Sequence, residues 1–427
     1  MSHSLFSYAG LGEVMKPGLS VERATERLRR FAWVEERLLF IQAAHLTSVP
    51  EREFKSLLGH YLYQASGHAD AFRQRLKEMR VPRPKIGSSP DEALTRLLDE
   101  ALHARSSDEL AAALVWLKRE LRDAYVSYLA ATNSLADTAS VESIEVFVQH
   151  ETRAVAALEA YVQARLQPSE AFVAHLRPYL SAAGGLDGTA DRGPEWARDR
   201  SIQAYKIAHE LRRDSTTARV WDYQAPPQAE TGPHLAYMMG LRLSEINVAE
   251  GIAIVMFETP GRPWEFYRAL ARHLWDEVRH SMMGEAGIEA TLGRKDAVPM
   301  RDYEGVYCME AEALEQYATL GIEIEGGNMR YPVGKRGEWE FCRDQAKHPL
   351  MTLFQDYDWA DEVVHVNIAR QQLSTWFTGG GVKELSELAA NGKINRTAIK
   401  RRHAPVALVV PGDIVERGRA LAGAAKG

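Results

Sequence analysis

Two stretches of this chain repeat one arrangement, Trp275-Asp276-Glu277-Val278-Arg279-His280 and Trp359-Ala360-Asp361-Glu362-Val363-Val364-His365, and each sits inside a long run of helical periodicity. A Glu and a His three residues apart share one helix face, and burying such a face is costly unless its polar groups find partners. Two helices of this kind constrain the fold strongly. Their polar faces have to meet, and further helices have to enclose them, which is the architecture of a helix bundle. The rest of the chain agrees: long segments rich in Ala, Leu, Glu and Arg dominate, and alternating Val, Ile or Thr runs that would mark strands are few. The expected fold class is all-α.

At 427 residues the chain exceeds one ordinary bundle, so two domains are expected. Candidate helices cover 21–46, 50–79, 107–133 and 141–167 in the first half and 234–257, 264–292, 303–322 and 351–377 in the second. Each half thus supplies four long helices, enough for a four-helix bundle. The stretch 181–194, SAAGGLDGTADRGP, replaces apolar periodicity with glycine, proline and small polar residues and reads as the linker. The expected layout is an N-terminal bundle at 1–180, a linker with a short helix at 181–228, a metal-binding bundle at 229–380 and a tail at 381–427. The stretch 325–349, with Gly326-Gly327, Pro332 and Gly334, is long for a bundle connection and is expected to be a flap or an insertion at one end.

Chemistry follows from the repeated Asp-Glu-x-x-His. Glu277 with His280 and Glu362 with His365 can reach one point from facing helices, and two metal ions need one more carboxylate from each remaining helix. Reflecting Glu277 about the turn at residue 260 or 261 lands at 243 to 245, where Glu245 is the acidic residue. On the third helix Glu310, Glu312, Glu315 and Glu323 compete; Glu315 is the expected ligand, with Glu312, one turn earlier on the same face, in reserve. Asp276 and Asp361 are expected behind the opposite histidines, since a ligating imidazole commonly donates its second N–H to an acceptor. A carboxylate-rich set with two histidines suits iron or manganese. The expected cofactor is therefore two metal ions, Fe/Fe, with Mn/Fe as the alternative pair.

With these residues in place, 230–378 resembles the ferritin-like superfamily, whose di-iron members order their ligands Glu, Glu-x-x-His, Glu, Glu-x-x-His. Leu314-Glu315-Gln316-Tyr317-Ala318-Thr319-Leu320-Gly321 and Asp361-Glu362-Val363-Val364-His365-Val366 look most like a bacterial ferritin-like family of unknown function, which supports Glu315 and implies no particular reaction. In ribonucleotide reductase small subunits a radical tyrosine lies one turn after the first motif histidine; Gly284 stands there in this chain, which argues against that role. The extra domain and the long 325–349 stretch argue against cage-type iron storage. In the N-terminal half, His68 and His150 hold positions comparable to the motif histidines, but Ala65 and Phe147 replace the paired glutamates, while Glu36 remains on the first helix. That half reads as a degenerate, structural copy.

Composition limits the remaining classes. A net charge of −6 and a pI near 6.2 supply no electrostatic basis for nucleic-acid binding, and the lone basic run Lys400-Arg401-Arg402-His403 reads as a solvated helix end. Cys308 and Cys342 are too few for a disulfide framework or a Cys-rich zinc site. Neither a secretory leader nor a membrane span is legible, and a cytoplasmic setting is expected. Trp275, Trp359, Tyr317 and Tyr357 read as packing around the core, and Met282 and Met283 as gap-fillers. The function these features favour is an O2-activating oxidase or oxygenase with a small organic substrate and an electron donor the sequence does not specify. Metal handling or peroxide scavenging is the alternative, and a non-enzymatic helical interaction protein the third reading.

Overall fold

The computed structural model describes residue 11 and residues 14–376 and 381–424. The leader reading therefore falls almost wholly outside the described residues, as do the last residue of the helix expected at 351–377, the boundary at 380 and the end of the tail. The protein is all-α, with one two-stranded exception. The chain divides into two compact units, residues 1–42 with 61–206 and residues 43–60 with 207–427. No helix among the described residues is long and apolar enough to cross a membrane.

The first unit is built on α1 (Val21–Leu46), α2 (Arg52–Glu78), α3 (Glu92–Leu102), α4 (Ser107–Ala131), α5 (Thr138–Arg165) and α6 (Glu170–Ala182), with residues 43–60 of α1 and α2 belonging to the second unit. Helix starts follow local chemistry: Asp91, Ser106 and Ser169 each accept a backbone N–H from the first turn of α3, α4 and α6. One aromatic ring from each of four helices meets in the core, Phe31, Phe72, Tyr125 and Phe147, with the Phe31 and Tyr125 centroids 4.9 Å apart and edge-on.

The glycine-rich stretch 181–194 belongs to the first unit and folds back onto it. Arg30 donates to the carbonyls of Ala183 and Gly185 at 2.8 Å and of Leu186 at 2.9 Å, and Arg27 pairs with Asp187 at 2.7 Å. Gly184, Gly185 and Gly188 adopt φ of +71°, +81° and +75°, which lets the backbone turn tightly around the arginines. Beyond it, the short helix expected within 181–228, near 201–213, is reduced to one turn, Arg200–Ile202.

Glu100 of α3 fastens that turn. Its carboxylate accepts from the N–H groups of Asp199 (2.9 Å), Arg200 (2.9 Å) and Ser201 (3.0 Å), from the Ser201 hydroxyl and from His175 Nε2 (3.0 Å). Burial would raise its pKa, but these donors outweigh burial and hold it down to about 2. A carboxyl depressed from its ordinary value of 4.5 stabilises the fold above that value, and the contribution is lost as pH falls toward about 2. The stability difference between wild type and Glu100→Gln is therefore expected to be large at neutral pH and to shrink between about pH 4.5 and 2, read as the gap between urea midpoints across that range.

The second unit contains β1 (Arg219–Val220), α7 (Thr231–Leu243), α8 (Ile246–Glu258), α9 (Trp264–Leu292), β2 (Met300–Arg301), α10 (Tyr303–Glu310), α11 (Ala313–Ala318), α12 (Glu325–Asn328), α13 (Lys335–Glu340), α14 (Pro349–Trp376), α15 (Gly381–Lys400) and α16 (Ile414–Ala424). β1 and β2 pair in parallel, Arg219 opposite Met300. Helix α9 packs on α7, α8 and α14. Gly284 permits the contact with α7, because a Cβ there would lie 2.2 Å from Leu243 N; no side chain, tyrosine included, fits at that position without moving backbone.

Two expected helices are interrupted. The one expected at 234–257 breaks at Ser244 and Glu245, where Glu245 N–H bonds Arg242 O at 3.0 Å in a tightened turn. The one expected at 303–322 breaks at Ala311 and Glu312, which are extended, and then resumes as α11, passes through a π-helical turn at Thr319–Ile324 and continues into α12. The stretch 325–349 is largely helical, with α12, α13 and a second π-helical turn at Phe341–Ala346. Gly321 lies in the first π turn, against α14: an added Cβ would sit 2.1 Å from Ala369 Cβ. Gly321→Ala is expected to destabilise the protein by about 1–3 kcal/mol through overpacking. Ala369→Gly in the same chain should restore most of that loss, a coupling that a double-mutant denaturation cycle measures.

Candidate metal centre

The motif helices α9 and α14 bring two groups of ligand atoms together in the second unit. His273 and Glu277 from α9, Glu325 from α12 and His365 from α14 form the first; Glu245, His280 from α9, and Asp358 and Glu362 from α14 form the second. Within each group the ligand atoms lie within 4.8 Å of one another. Every member is buried except Glu245, whose side chain is 13% exposed. The two α-helical contributions mirror each other: His273, Glu277 and His280 on one, Asp358, Glu362 and His365 on the other, each spaced four and then three residues along a single face.

Glu277 connects the groups. Its Oε1 lies 3.3 Å from His365 Nδ1 and 3.6 Å from His273 Nε2, and its Oε2 lies 3.9 Å from His280 Nδ1. Glu325 Oε1 is 2.7 Å from His273 Nε2 and 3.7 Å from His365 Nδ1. In the second group His280 Nδ1 faces Asp358 at 3.4 Å and Glu245 at 3.5 Å. Five of these buried atoms, Glu245 Oε2, His280 Nδ1, Glu325 Oε2, Glu362 Oε2 and His365 Nδ1, make no well-aligned hydrogen bond. Buried polar atoms are rarely left in that condition, and their convergence is what a cation site requires.

Behind the ligand atoms the helices exchange support. His365 Nε2 lies 3.3 Å from Asp276 Oδ2, and His280 Nε2 lies 3.3 Å from Asp361 Oδ2, so each aspartate faces the histidine of the opposite helix. Arg272 and Arg279 each contact both aspartates, giving two cations against two anions. This outer layer is neutral and fixes the ring orientation of both histidines.

The two groups differ in how their charge is balanced. In the first, Glu277 and Glu325 face the imidazoles of His273 and His365. Burial would lower His273, but Glu325 and Glu277 more than offset it and push it up to about 10; His365, opposed by burial and by His273, is still pushed up to about 9 by Asp276, Glu277 and Glu325. Glu277 is held well below the ordinary range because the hydrogen bonds and charges of the imidazoles overcome its burial. Protons therefore neutralise this group, and a divalent cation can replace them. The second group contains fixed cations. Lys335 Nζ lies 2.9 Å from both Asp358 oxygens, 2.8 Å from Glu362 and 3.8 Å from Glu245, and Arg242 pairs with Asp358 and, at 3.0 Å, with Glu245. Burial would raise Asp358, but Arg242, Lys335 and His280 hold it down to about 2. Burial raises Glu245 and Glu362, with the neighbouring carboxylates adding to it.

Of the residues expected from sequence, Glu245, Glu277, His280, Glu362 and His365 converge here. Glu315 does not. Its carboxylate accepts from Asn395 Nδ2 at 3.1 Å and lines a surface cavity with Glu310, Glu312 and Arg402, and Glu312 is exposed. The break at 311–312 and the π turn rotate the third helix, so that Glu325 takes the inward position assigned to Glu315. His273, Asp358 and Lys335 were also missed. His273 and Asp358 each stand one turn before a motif glutamate, a spacing that could have found them; Lys335 left no comparable signal.

Comparison with protein-family models, curated proteins and solved structures returns no match. The chemistry of the site rests on its own geometry.

The first unit holds a smaller buried group, Glu35, His68 and Glu151. His68 Nδ1 contacts Glu35 at 2.7 Å and Nε2 contacts His150 Nδ1 at 3.0 Å; Tyr125 donates to Glu35 at 2.6 Å, and Lys118 Nζ reaches both Glu151 oxygens at 3.2 and 3.1 Å. Phe147 stacks on His68 with centroids 4.0 Å apart. Glu36, the expected remnant, instead pairs with Arg73 at 2.9 Å. Among the aromatic residues near the second-unit site, Tyr317 is buried with its hydroxyl 3.3 Å from His273 Nδ1, Trp275 stacks on His60, Trp359 packs near Trp339, and Tyr357 is exposed. Cys308 and Cys342 are buried free thiols.

Proposed function

We propose that the second unit is a ferritin-like, carboxylate-bridged dinuclear centre, Fe/Fe or Mn/Fe, that activates O2 to oxidise a small organic substrate. The observation that carries the reading is the meeting of two buried His/carboxylate groups at Glu277, with ligand atoms in both left without aligned hydrogen bonds. His273, Glu277, Glu325 and His365 would hold one ion, and Glu245, His280, Asp358 and Glu362 the other. Nitrogen and oxygen donors without thiolate favour iron and manganese. A reduced metal pair held by these residues would supply electrons to O2. The chain's own contribution is to orient the imidazoles through Asp276 and Asp361, to exclude water from His273, His280 and His365, and to place the Tyr317 hydroxyl beside His273.

The test is anaerobic loading with Fe(II) or Mn(II), elemental analysis, and O2 uptake by the reduced protein. About two ions per chain at saturation and rapid O2 consumption would support the reading. Metal uptake with iron oxidation but no organic turnover would move the assignment to metal handling or peroxide scavenging. No metal above background would overturn it.

A further inference from the structure

Lys335 places its ammonium among the acids of the second group. Its ammonium contacts Asp358, Glu362 and Glu245, three of the four members of the second group, from a side chain only 1% exposed. The first group has no Lys or Arg contact of this kind among the described residues. The first unit offers a parallel: there Lys118 fills the place beside Glu151 in a buried His/carboxylate group. Residues 330–333, which lead into α13, are exposed, Val333 86% exposed, while Gly334, Lys335 and Gly337 are buried and α13 packs on α14, so that the ammonium leaves by rotation of its own side chain.

We propose that Lys335 is a built-in counter-ion for the second metal position, and that the centre loads in order. Resting on the dinuclear reading above, the first divalent cation enters at His273, Glu277, Glu325 and His365. The second enters only as the Lys335 ammonium leaves Asp358 and Glu362, because a lysine and a divalent ion cannot share those oxygens at such distances without strong repulsion. Arg242 remains on Asp358 and Glu245 as the permanent cation. The stretch 325–349 thereby controls how many ions the centre holds.

Titration of metal-free protein with Mn(II) alone, followed by electron paramagnetic resonance of free and spin-coupled ion, tests this. Wild type is expected to bind one equivalent tightly and the second at least about tenfold more weakly. Lys335→Met should tighten the second equivalent at least about tenfold and leave the first within about threefold, Lys335→Arg should keep the weak second site, and Asp358→Asn should weaken the second alone. If Lys335→Met does not fold without metal, its melting curve with excess Mn(II) gives the same information: recovery supports the proposal and no recovery overturns it. Two equal equivalents in wild type, or a second constant that ignores Lys335, would overturn the gating and leave the dinuclear centre standing. Absence of Mn(II) binding in wild type would overturn the dinuclear reading itself.

Discussion

Glu277→Ala is expected to weaken metal binding by more than about 100-fold, beyond the loss usual for a residue that only supports a ligand. Glu277 is the residue through which both groups communicate, with one oxygen toward His273 and His365 and the other toward His280. Removing it leaves the first group with a single carboxylate, Glu325, against two imidazoles, and so removes half of the negative charge that would hold an ion there. Glu277→Gln retains the volume and hydrogen-bonding capacity but not the charge, and should lose metal to a similar degree. Elemental analysis after gel filtration reads the loss, and circular dichroism on the same samples separates it from unfolding. Retention of metal by both variants would mean that the bound ion does not depend on Glu277 and would overturn the bridging role assigned to it.

Glu325→Ala and Glu315→Ala should behave oppositely. Glu325 is 1% exposed, contacts His273 and His365, and keeps Oε2 without a hydrogen bond. Its removal is expected to weaken the first metal equivalent at least about 100-fold. Glu315, ten residues earlier and bonded to Asn395 at the surface, should leave metal affinity within about threefold and stability within about 0.5 kcal/mol when replaced by alanine. The contrast is decisive because both are glutamates of one broken helical segment. Mn(II) titration of the two variants beside wild type measures it, and the reverse outcome would mean that the third helix turns its other face inward.

The all-α character and the convergence of Glu245, Glu277, His280, Glu362 and His365 were legible in the amino-acid order alone. Helical periodicity is a local property: a Glu and a His three residues apart share a face whatever the helix packs against. The reflection that reached Glu245 worked because a short turn joins α8 to α9, so depth in one helix maps onto depth in the next. His273 and Asp358 were legible in principle, by the same rule read one turn further back.

Glu325 and Lys335 were not legible, and the reason lies in packing between helices. Extended residues at 311–312 and the π turn at Thr319–Ile324 break the 3.6-residue count on which any projection from Glu315 depends. Gly321 approaches Ala369 too closely for a side chain, and four residues on Glu325 is buried against His273 and His365, a tertiary arrangement that no helical count from Glu315 reaches. Lys335 comes from a stretch rich in glycine and proline, where no repeating pattern says which side chain turns inward. Local periodicity wrote the inward-facing Glu and His residues of α9 and α14 into the sequence. Contacts between segments distant in the chain chose the last carboxylate and placed a lysine among the acids.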